Sequence, residues 1–367
     1  MINKRCILHI CSGMAWRGGD SQMLTIVELL SSENDQSHIV LCPENSEVEK
    51  RCRERNLRYI SVPRGSKISL SYVLNIIKVS KSEKVLALHA HDSSGLTMAL
   101  LAKTFLKNKK LIYIRKRNNR ISSNLFKKIK YNSSNITNIL CVSKAVEKVL
   151  QPIIKDHSKI EVIYDGIDVE KYTQATDKDY VRKLLKLNPD AKIVGTLAGL
   201  VPQKDIHTFI KAAAYIKKEL KSEVKFVIAG DGPLLKELME FAALLKMEHD
   251  IFFLGFRNDG PQLLKGFDVL MLSSKTEGLP LVILEAFATR TPVVSTDAGG
   301  VDEGVTNEIN GFIVPVENDQ ALAKRALQVL NDENLANTFT QKSEKLVREK
   351  FTLDVMKSNY KKFYNKL

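Results

Sequence analysis

Two glutamates in the second half of the chain have the residue type and spacing to bind hydroxyl groups on either side of an anion site. Glu277 follows a predicted buried strand, and Gly278-Leu279-Pro280 leads into a helix predicted from Leu281, which carries Glu285 one turn in. The first turn of such a helix presents unpaired N–H groups and the positive end of its dipole. A carboxylate on each side suits a sugar nucleotide, with Glu277 on sugar hydroxyls and Glu285 on the ribose diol. Taken alone, the pair is explained more simply by a helix-surface Glu285 and a dipole-stabilised Glu277.

Two glycine turns also follow predicted strands and lead into predicted helices. Gly18-Gly19 would let a ligand approach the backbone, and Asp20 fits a helix N-cap better than a ligand or acceptor contact. The second turn, Ala229-Gly230-Asp231-Gly232-Pro233, lacks the third glycine of the dinucleotide fingerprint, so it is weak evidence for a nicotinamide cofactor. A nucleotide base or ribose beside this turn stays open.

The histidines and cysteines do not indicate a metal centre. We expect only one of His89 and His91 to face the ligand side, and no third ligand is apparent in the sequence. The five cysteines are odd in number and form no Cys-x-x-Cys pair, which argues against a disulfide framework and a zinc ribbon. A reducing compartment is the simplest expectation.

Short β-branched runs alternate with longer amphipathic ones along most of the chain, which is typical of a parallel sheet wrapped by helices. Strands are predicted at 7–11, 38–42, 58–62, 84–90, 111–114, 138–142, 161–164, 192–197, 224–229, 250–254, 267–272 and 292–295. Helices are predicted at 22–30, 70–80, 95–106, 144–151, 205–219, 233–246 and 281–289. The pattern breaks at Asp165-Gly166-Ile167-Asp168, where we place a linker. The result is an α/β chain with two Rossmann-like domains.

The predicted boundaries are 1–168 for a first domain, 169–350 for a second domain, and 351–367 for a last helix. Leu353, Met356, Tyr360 and Phe363 share one face of that helix, which is expected to pack back on the first domain. A length of 367 residues with 44% apolar and 27% charged residues fits two such folded domains. The longest apolar runs, roughly seven to ten residues, fall well short of the about 20 that span a bilayer, and the first run is interpreted as a strand, not a signal.

The net charge of +14 lies mostly in the first half of the chain. The segment 103–130, here called the basic segment, holds eleven Lys or Arg residues and no Asp or Glu. Such a segment attracts phosphates, although a solvated helix face is the simpler alternative for any single charge run. It lacks a nucleic-acid recognition motif and interleaved aromatic residues, so nucleic acid is not an expected partner.

The stretch from Glu277 to Glu285 is similar to the signature of the retaining, GT-B-fold glycosyltransferases grouped as family 4. The resemblance covers nearly the whole chain through further motifs: Leu200-Val201-Pro202-Gln203-Lys204-Asp205, Ala229 to Pro233, Leu254-Gly255-Phe256, Asp297-Ala298-Gly299-Gly300, Asn310-Gly311-Phe312 and Tyr164 to Asp168. It implies two Rossmann-like domains facing across a cleft, with 1–168 binding the acceptor and 169–350 binding the nucleotide sugar. It also replaces the simpler explanation of the two glutamates with a functional one.

The resemblance implies a role for each matching residue. Glu277 is expected to bind the donor sugar, Glu285 the ribose and Lys204 the diphosphate, with Lys204 and Glu277 as the catalytic pair. The other expected donor-binding residues are Gly18, Gly19, Gly230, Gly232, Gly255, Arg257, Gly278, Leu279, Pro280 and Leu281. A preplaced ammonium and helix N–H groups can stabilise a leaving diphosphate, so no metal and no cofactor beyond the nucleotide-diphosphate sugar co-substrate is expected.

Two positions depart from the family pattern. Gly199 stands where the family often has an arginine, which removes one of two cations near the diphosphate. Arg115 stands where a histidine commonly touches the sugar or acceptor, and it could act as a phosphate ligand instead. Together with Asp20 and His91, Arg115 is expected to bind the acceptor. The surrounding motifs look like a branch that makes bacterial surface polysaccharide or lipopolysaccharide.

The expected function is therefore that of a retaining, metal-independent hexosyltransferase-type enzyme. It would move a sugar from a nucleotide-diphosphate donor to a glycan or lipid-linked acceptor. The alternative is a non-catalytic nucleotide-sugar-binding relative or partner subunit, which the two departures favour and the intact Lys204, Glu277 and Glu285 oppose. We expect a cytoplasmic protein, with the basic segment offering attachment to the anionic inner face of the cell membrane.

Overall fold

The chain divides into two compact units, which are described separately. The computed structural model describes residues 5–16, 18–32, 36–63, 68–119 and 125–367. Arg17, within the predicted glycine turn, and residues 120–124 of the basic segment lie outside these ranges. One unit comprises Met1–Asp165 with Met356–Leu367, and the other comprises Gly166–Val355.

The first unit is built on a parallel sheet of seven strands in the order β3-β2-β1-β4-β5-β6-β7. The strands are β1 (Arg5–Ile10), β2 (Gln36–Pro43), β3 (Tyr59–Val62), β4 (Val85–Ala90), β5 (Lys110–Arg115), β6 (Asn138–Cys141) and β7 (Ile160–Val162). The central strands are rich in buried Ile, Leu and Val because helices cover both faces of a parallel sheet. The helices are α1 (Gly18–Ser31), α2 (Glu47–Glu54), α3 (Leu70–Ser82), α4 (Ser93–Lys103), α5 (Leu125–Tyr131) and α6 (Lys144–Leu150).

The second unit has a parallel sheet of six strands in the order β10-β9-β8-β11-β12-β13. The strands are β8 (Lys192–Leu197), β9 (Val224–Ala229), β10 (Ile251–Gly255), β11 (Val269–Leu272), β12 (Val293–Thr296) and β13 (Phe312–Val314). The helices are α7 (Val169–Thr173), α8 (Tyr180–Leu185), α9 (Ile206–Glu219), α10 (Leu235–Leu244), α11 (Gly260–Lys265), α12 (Leu281–Ala288), α13 (Asp319–Asn331) and α14 (Glu333–Lys350). A last helix, α15 (Leu353–Asn365), starts here and belongs to the first unit from Met356 onward.

The strand orders confirm the predicted fold class of two Rossmann-like α/β units. In each sheet the chain adds strands first on one side of its first strand and then on the other. The order of strands therefore switches between β1 and β4 and between β8 and β11. Ligands of open α/β sheets bind beyond the carboxyl ends of strands at such a switch point. Each of these places therefore offers a candidate site within its own unit.

Every predicted strand is present, with ends that shift by at most two residues. The prediction missed β13, whose three residues are too short to show a period, and the helices α2, α5, α7, α8, α11, α13 and α14. None of the helices in the described ranges is long and apolar enough to cross a membrane. All five cysteines are buried and free.

The last helix packs into the first unit through one face, as its sequence predicts. Its buried residues are Met356, Tyr360, Phe363 and Tyr364. Tyr364 shares a hydrogen bond with Nδ1 of His89 at 2.6 Å, and the Nε2 amide of Gln36 donates to the side-chain oxygen of Asn365 at 3.1 Å. The helix therefore adds both apolar burial and polar contacts to the interior strands β2 and β4.

Replacing Phe363 with alanine tests that packing. The ring is 2% exposed, so its loss is expected to lower the free energy of unfolding of the first unit by about 3–5 kcal/mol through the cavity it leaves. Urea denaturation measures the change, and Lys362→Ala, at the exposed neighbour, is the control with an expected effect below about 0.5 kcal/mol. Equal midpoints for the two variants would contradict the packing of α15 described here.

Candidate functional site

Lys204 and Glu277 form an ion pair in the second unit. Lys204 ends a 3₁₀ turn, Pro202–Lys204, that follows β8, and Glu277 follows β11, so the switch point brings the two together. Nζ of Lys204 lies 2.6 Å from Oε1 of Glu277, and the hydroxyl of Ser274 donates to the same oxygen at 2.6 Å. The two side chains are 25% and 10% exposed. This ammonium therefore has one anionic partner and an open side toward solvent.

The backbone around Glu277 is held by the loop after β12. The Glu277 N–H donates to the Ala298 carbonyl at 2.6 Å, and the Gly300 N–H donates to the Glu277 carbonyl at 3.1 Å. A Cβ on Gly300 would lie 1.7 Å from the Gly278 carbonyl oxygen. Only glycine fits there, so the two loops can approach closely enough to fix Glu277.

The start of α12 lies directly beyond this loop. The helix begins at Leu281 after Pro280, and no side chain in the described ranges caps it. The Ile283 N–H donates a hydrogen bond to the Pro280 carbonyl at 3.0 Å. The first N–H groups and the positive dipole end are thus available to an anion next to Lys204 and Glu277.

Glu285 lies one turn along α12 and is half-buried, so it is not a plain surface glutamate. Burial raises the pKa of its carboxyl, and the hydrogen bond from the Tyr172 hydroxyl and the charge of Lys171 offset this in part. Burial and the nearby carboxylate also raise the pKa of Tyr172, which stays a neutral donor. Glu285 is therefore a positioned acceptor of hydrogen bonds.

The predicted glycine turns join three strand ends. Gly230 has φ +148°, and its N–H donates to the Gly255 carbonyl at 2.8 Å. A Cβ on Gly230 would lie 1.9 Å from the Ala198 carbonyl oxygen, and one on Gly232 would lie 2.4 Å from that of Leu200. These glycines are needed for packing of the loops after β8, β9 and β10, whatever ligand they also contact.

Arg257 and Gly199 bear on the cations expected near the donor. The Arg257 guanidinium donates twice to Asp259, at 2.9 and 2.6 Å, and Tyr180 donates to the same carboxylate at 2.6 Å. The Arg257 hydrogen bonds lower the pKa of Asp259 to about 2.

A Cβ on Gly199 would meet nothing closer than the Asp231 carbonyl at 3.9 Å. The lack of a side chain at Gly199 is therefore not imposed by crowding.

The residues predicted in the first unit divide into two groups. Gly18, Gly19 and Asp20 form the first turn of α1, so Asp20 lies inside the helix and not at its N-cap. The Lys116 ammonium donates to the Gly19 carbonyl at 2.7 Å. Burial lowers the pKa of Lys116, and Asp165 and Asp20 counteract this. Lys116, next along the chain from Arg115, is thus the cation held against the glycine turn.

Arg115 is used within its own loop. It is 7% exposed, and its Nη2 donates to the Asn119 carbonyl and, at 3.3 Å, to the Asn119 side chain. In this conformation Arg115 supports the loop that carries Lys116. The structure does not bring Arg115 and Asp20 into a shared hydrogen bond among the described contacts.

The expectation that His89 and His91 face different ways is wrong. Residues two apart on a strand share a face, and the two ring centroids are 4.2 Å apart. His9 adds a third ring, with its Nδ1 2.9 Å from Nε2 of His91. Sequence reasoning could not identify this neighbour, because β1 and β4 pair only in the folded sheet.

Several site residues were missed by sequence reasoning. Asp92 caps α4 and accepts from the N–H and hydroxyl of Ser12, each at 2.6 Å, so it ties the loops after β4 and β1. Ser274 and Tyr172 hold the two glutamates. The Ser274-x-x-Glu277 spacing could have suggested one of these contacts, whereas Tyr172 reaches Glu285 only through helix packing.

Two family models match the chain, one in each unit. Residues 16–171 match the model described as Glycosyltransferase Family 4, and residues 177–346 match the model described as Glycosyl transferases group 1. Together they span most of the chain.

The curated relatives include an Escherichia coli UDP-Gal:alpha-D-GlcNAc-diphosphoundecaprenol alpha-1,3-galactosyltransferase, 32% identical over 54% of this chain and 52% of the relative. A Campylobacter jejuni alpha-1,4-N-acetyl-D-galactosaminyltransferase that acts on a GalNAc-GalNAc-diNAcBac-PP-undecaprenol acceptor is 30% identical over 54% of this chain and 64% of the relative. The chain spans between half and three fifths of the length of the first curated relatives it matches.

Solved structures share the fold over the whole chain. Anabaena HepE in complex with UDP and glucose has a TM-score of 0.86 at 21% identity, covering 99% of this chain and 100% of HepE. The lipopolysaccharide outer core galactosyltransferase WaaB has a TM-score of 0.75 at 15% identity, covering 99% and 100%.

The half-buried Glu285 predicts a measurable pH dependence. Because its pKa is raised in the folded protein, ionised Glu285 lowers stability above that pKa, and the cost fades as pH falls toward the unfolded value of about 4.3. Glu285→Gln is therefore expected to raise the melting temperature at pH 8, with a gain that shrinks steadily toward pH 4.

Thermal unfolding from pH 4 to 8 makes this measurement. The exposed Glu240→Gln variant on α10 is the control and should show no such trend. A Glu285→Gln gain that is absent at pH 8 or grows toward pH 4 would contradict the burial assigned to this carboxylate.

Proposed function

The chain belongs to the GT-B-fold glycosyltransferases described by the group 1 and family 4 models, and we propose that it transfers a sugar from a nucleotide-diphosphate sugar to a glycan or lipid-linked acceptor with retention of anomeric configuration. The proposal includes synthesis of a bacterial surface polysaccharide or lipopolysaccharide. The observation that carries it is the Lys204–Glu277 pair beside the uncapped start of α12.

We place the diphosphate of the donor at the first turn of α12. The two phosphates would accept hydrogen bonds from the N–H groups of the helix start and from the Lys204 ammonium. That ammonium would then be shared between Glu277 and the diphosphate. The Glu277 carboxylate, released in part, would accept hydroxyls of the sugar. Tyr172 keeps Glu285 in place to accept the ribose diol. Gly278, Leu279 and Pro280 supply the backbone between them.

This arrangement favours departure of the diphosphate. Breaking the bond between sugar and phosphate leaves negative charge on the leaving oxygen, and a fixed ammonium with oriented N–H groups stabilises that charge without reorganisation. The departing phosphate can then take the proton of the acceptor hydroxyl on the same face of the sugar. No described side chain has to act as a strong base, and no resident metal takes part in the proposed route.

We assign the acceptor to the first unit. Asp20, His91 and Arg115 stay the predicted acceptor residues, and the structure adds Lys116, whose ammonium lies against the Gly19 carbonyl. Lysine and arginine side chains at this edge suit a phosphate-bearing acceptor. The undecaprenol-linked acceptors named for the Escherichia coli and Campylobacter jejuni relatives support this class of acceptor.

Removing the Lys204 ammonium tests the enzymatic proposal. Lys204→Ala is expected to slow transfer or hydrolysis of a sugar nucleotide by about 10²–10³-fold, because the leaving charge loses a preplaced cation. UDP-sugars are the first donors to try, since UDP is bound in HepE. The assay follows release of the nucleoside diphosphate, and the exposed Lys211→Ala variant on α9 is the control, expected to match the wild type.

The comparison also separates the enzyme from a non-catalytic relative. A protein that binds a sugar nucleotide but turns over no donor in either the wild type or Lys204→Ala would contradict the proposal. Equal turnover in an active wild type and in Lys204→Ala would also refute the role given to Lys204.

We further propose that the basic segment attaches the protein to an anionic bilayer. In α5 the side chains of Leu125, Phe126 and Ile129 are 69%, 84% and 61% exposed, and Lys127 and Lys128 lie between them. Apolar side chains among lysines suit the interface of an anionic membrane, where each basic residue contributes about 1 kcal/mol. A lipid-linked acceptor would be presented at the same surface.

Liposome flotation tests this attachment. The double variant Lys127→Glu/Lys128→Glu is expected to reduce binding to vesicles with 30% phosphatidylserine at least tenfold, roughly the loss of two contributions of about 1 kcal/mol each. Lys342→Glu/Lys345→Glu on α14 reverses the same charge at exposed positions and should leave binding unchanged. Equal recovery of wild-type protein on neutral and anionic vesicles would refute the proposal.

A further inference from the structure

Four of the seven histidines of the chain meet inside the first unit. The rings of His38, His89 and His91 have centroids 5.2 to 5.4 Å from that of His9. They come from β1, β2, β4 and the residue after β4, so the sheet itself brings them together. His9 and His89 have no exposed surface. Imidazoles seldom gather in an apolar interior without a shared partner.

We propose that His9, His89 and His91 bind a divalent transition-metal ion of the zinc class, at a site separate from the Lys204–Glu277 pair. One ring nitrogen from each of the three lies within 4.8 Å of the other two. They are the sole such group of three His, Cys, Asp or Glu residues found in the described ranges. Three imidazole nitrogens with no carboxylate are a ligand set for zinc, nickel, cobalt or copper, and not for calcium or magnesium.

Of two unpaired ring nitrogens, that of His89 points to the ion. Nε2 of His89 and Nδ1 of His91 are buried and have no hydrogen-bond partner in the described part of the chain. A buried polar atom without a partner costs about 1–3 kcal/mol. Coordination satisfies the Nε2 of His89, and it replaces the hydrogen bond between Nδ1 of His9 and Nε2 of His91.

Two of the three ligands, His9 and His89, already have outer partners. Nε2 of His9 lies 3.0 Å from Nδ1 of His38, and Nδ1 of His89 lies 2.6 Å from the Tyr364 hydroxyl. Metal-bound histidines usually use their second nitrogen in this way, which fixes the tautomer and the ring orientation. Tyr364 thus links the site to α15, the helix that closes the first unit.

The charge state of the rings suits coordination. Burial lowers the pKa of His89 to about 3, and the pKa values of His9 and His91 are also well below the usual range for the same cause. The neighbouring Lys116 adds to each of these shifts. The rings are therefore neutral at pH 7, with lone pairs available to a metal.

The three nitrogens must shift to bind one ion. Two nitrogens bound to a tetrahedral zinc at about 2.0–2.1 Å are about 3.3 Å apart, whereas Nδ1 of His9 and Nε2 of His91 are 2.9 Å apart. This pair must part by a few tenths of an ångström, and any longer distance within the 4.8 Å limit of the group must shorten toward about 3.3 Å. The fourth position is left to water on the side of His91, the ligand that is partly exposed.

Metal titration of the full-length protein tests the site. After chelator treatment and its removal, Zn²⁺ alone is added, and calorimetry gives the stoichiometry while thermal unfolding gives the stabilisation. We expect one ion per chain and a higher melting temperature. Co²⁺ should give visible absorption bands typical of a tetrahedral site. His91→Gln is expected to weaken Zn²⁺ binding at least 100-fold, and Tyr364→Phe by about 10–100-fold.

The matched control is His157→Gln, which removes an exposed histidine of the same unit and should bind like the wild type. His91→Gln, at the partly exposed edge, avoids the fully buried His89, whose replacement could prevent folding. The proposal is overturned if wild-type protein takes up less than one tenth of an ion per chain, or if His91→Gln binds Zn²⁺ as tightly as His157→Gln does.

Discussion

The ion pair between Lys204 and Glu277 is the interaction on which the function proposed for the second unit depends. Its 2.6 Å contact, with Ser274 on the same oxygen, keeps an ammonium extended beside the start of α12. A half-buried lysine without this partner would pay a desolvation cost and would be free to turn away. The Glu277 carboxylate therefore holds the Lys204 ammonium beside the position where a diphosphate is expected. Replacing part of the Glu277 contact with a diphosphate then costs less free energy than desolvating a lysine ammonium from water.

The glycines around the pair serve this positioning. Gly300 lets the backbone at Glu277 approach the loop after β12, and Gly230 and Gly232 let the loops after β8 and β9 pack against each other. These constraints act on the backbone and hold whether or not a donor is bound.

Sequence reasoning predicted the sheets well because parallel strands are buried on both faces and read as continuous apolar runs. It placed Lys204, Glu277 and Glu285 correctly at strand ends and on a helix. It could not predict Tyr172, Ser12–Asp92 or the meeting of His9 with His91, because these contacts join residues far apart in sequence. Asp20 was misjudged as an N-cap because α1 begins at Gly18, four residues earlier than the predicted helix.

A crystal structure of the protein with a nucleotide-diphosphate sugar tests the central claim most directly. The account predicts that a phosphate oxygen lies within hydrogen-bonding distance of the Lys204 ammonium and of the first N–H groups of α12, while Glu277 turns part of its carboxylate toward the sugar. It would be contradicted by a bound diphosphate elsewhere in the second unit, with Lys204 still paired to Glu277 at its present distance and the start of α12 without a phosphate.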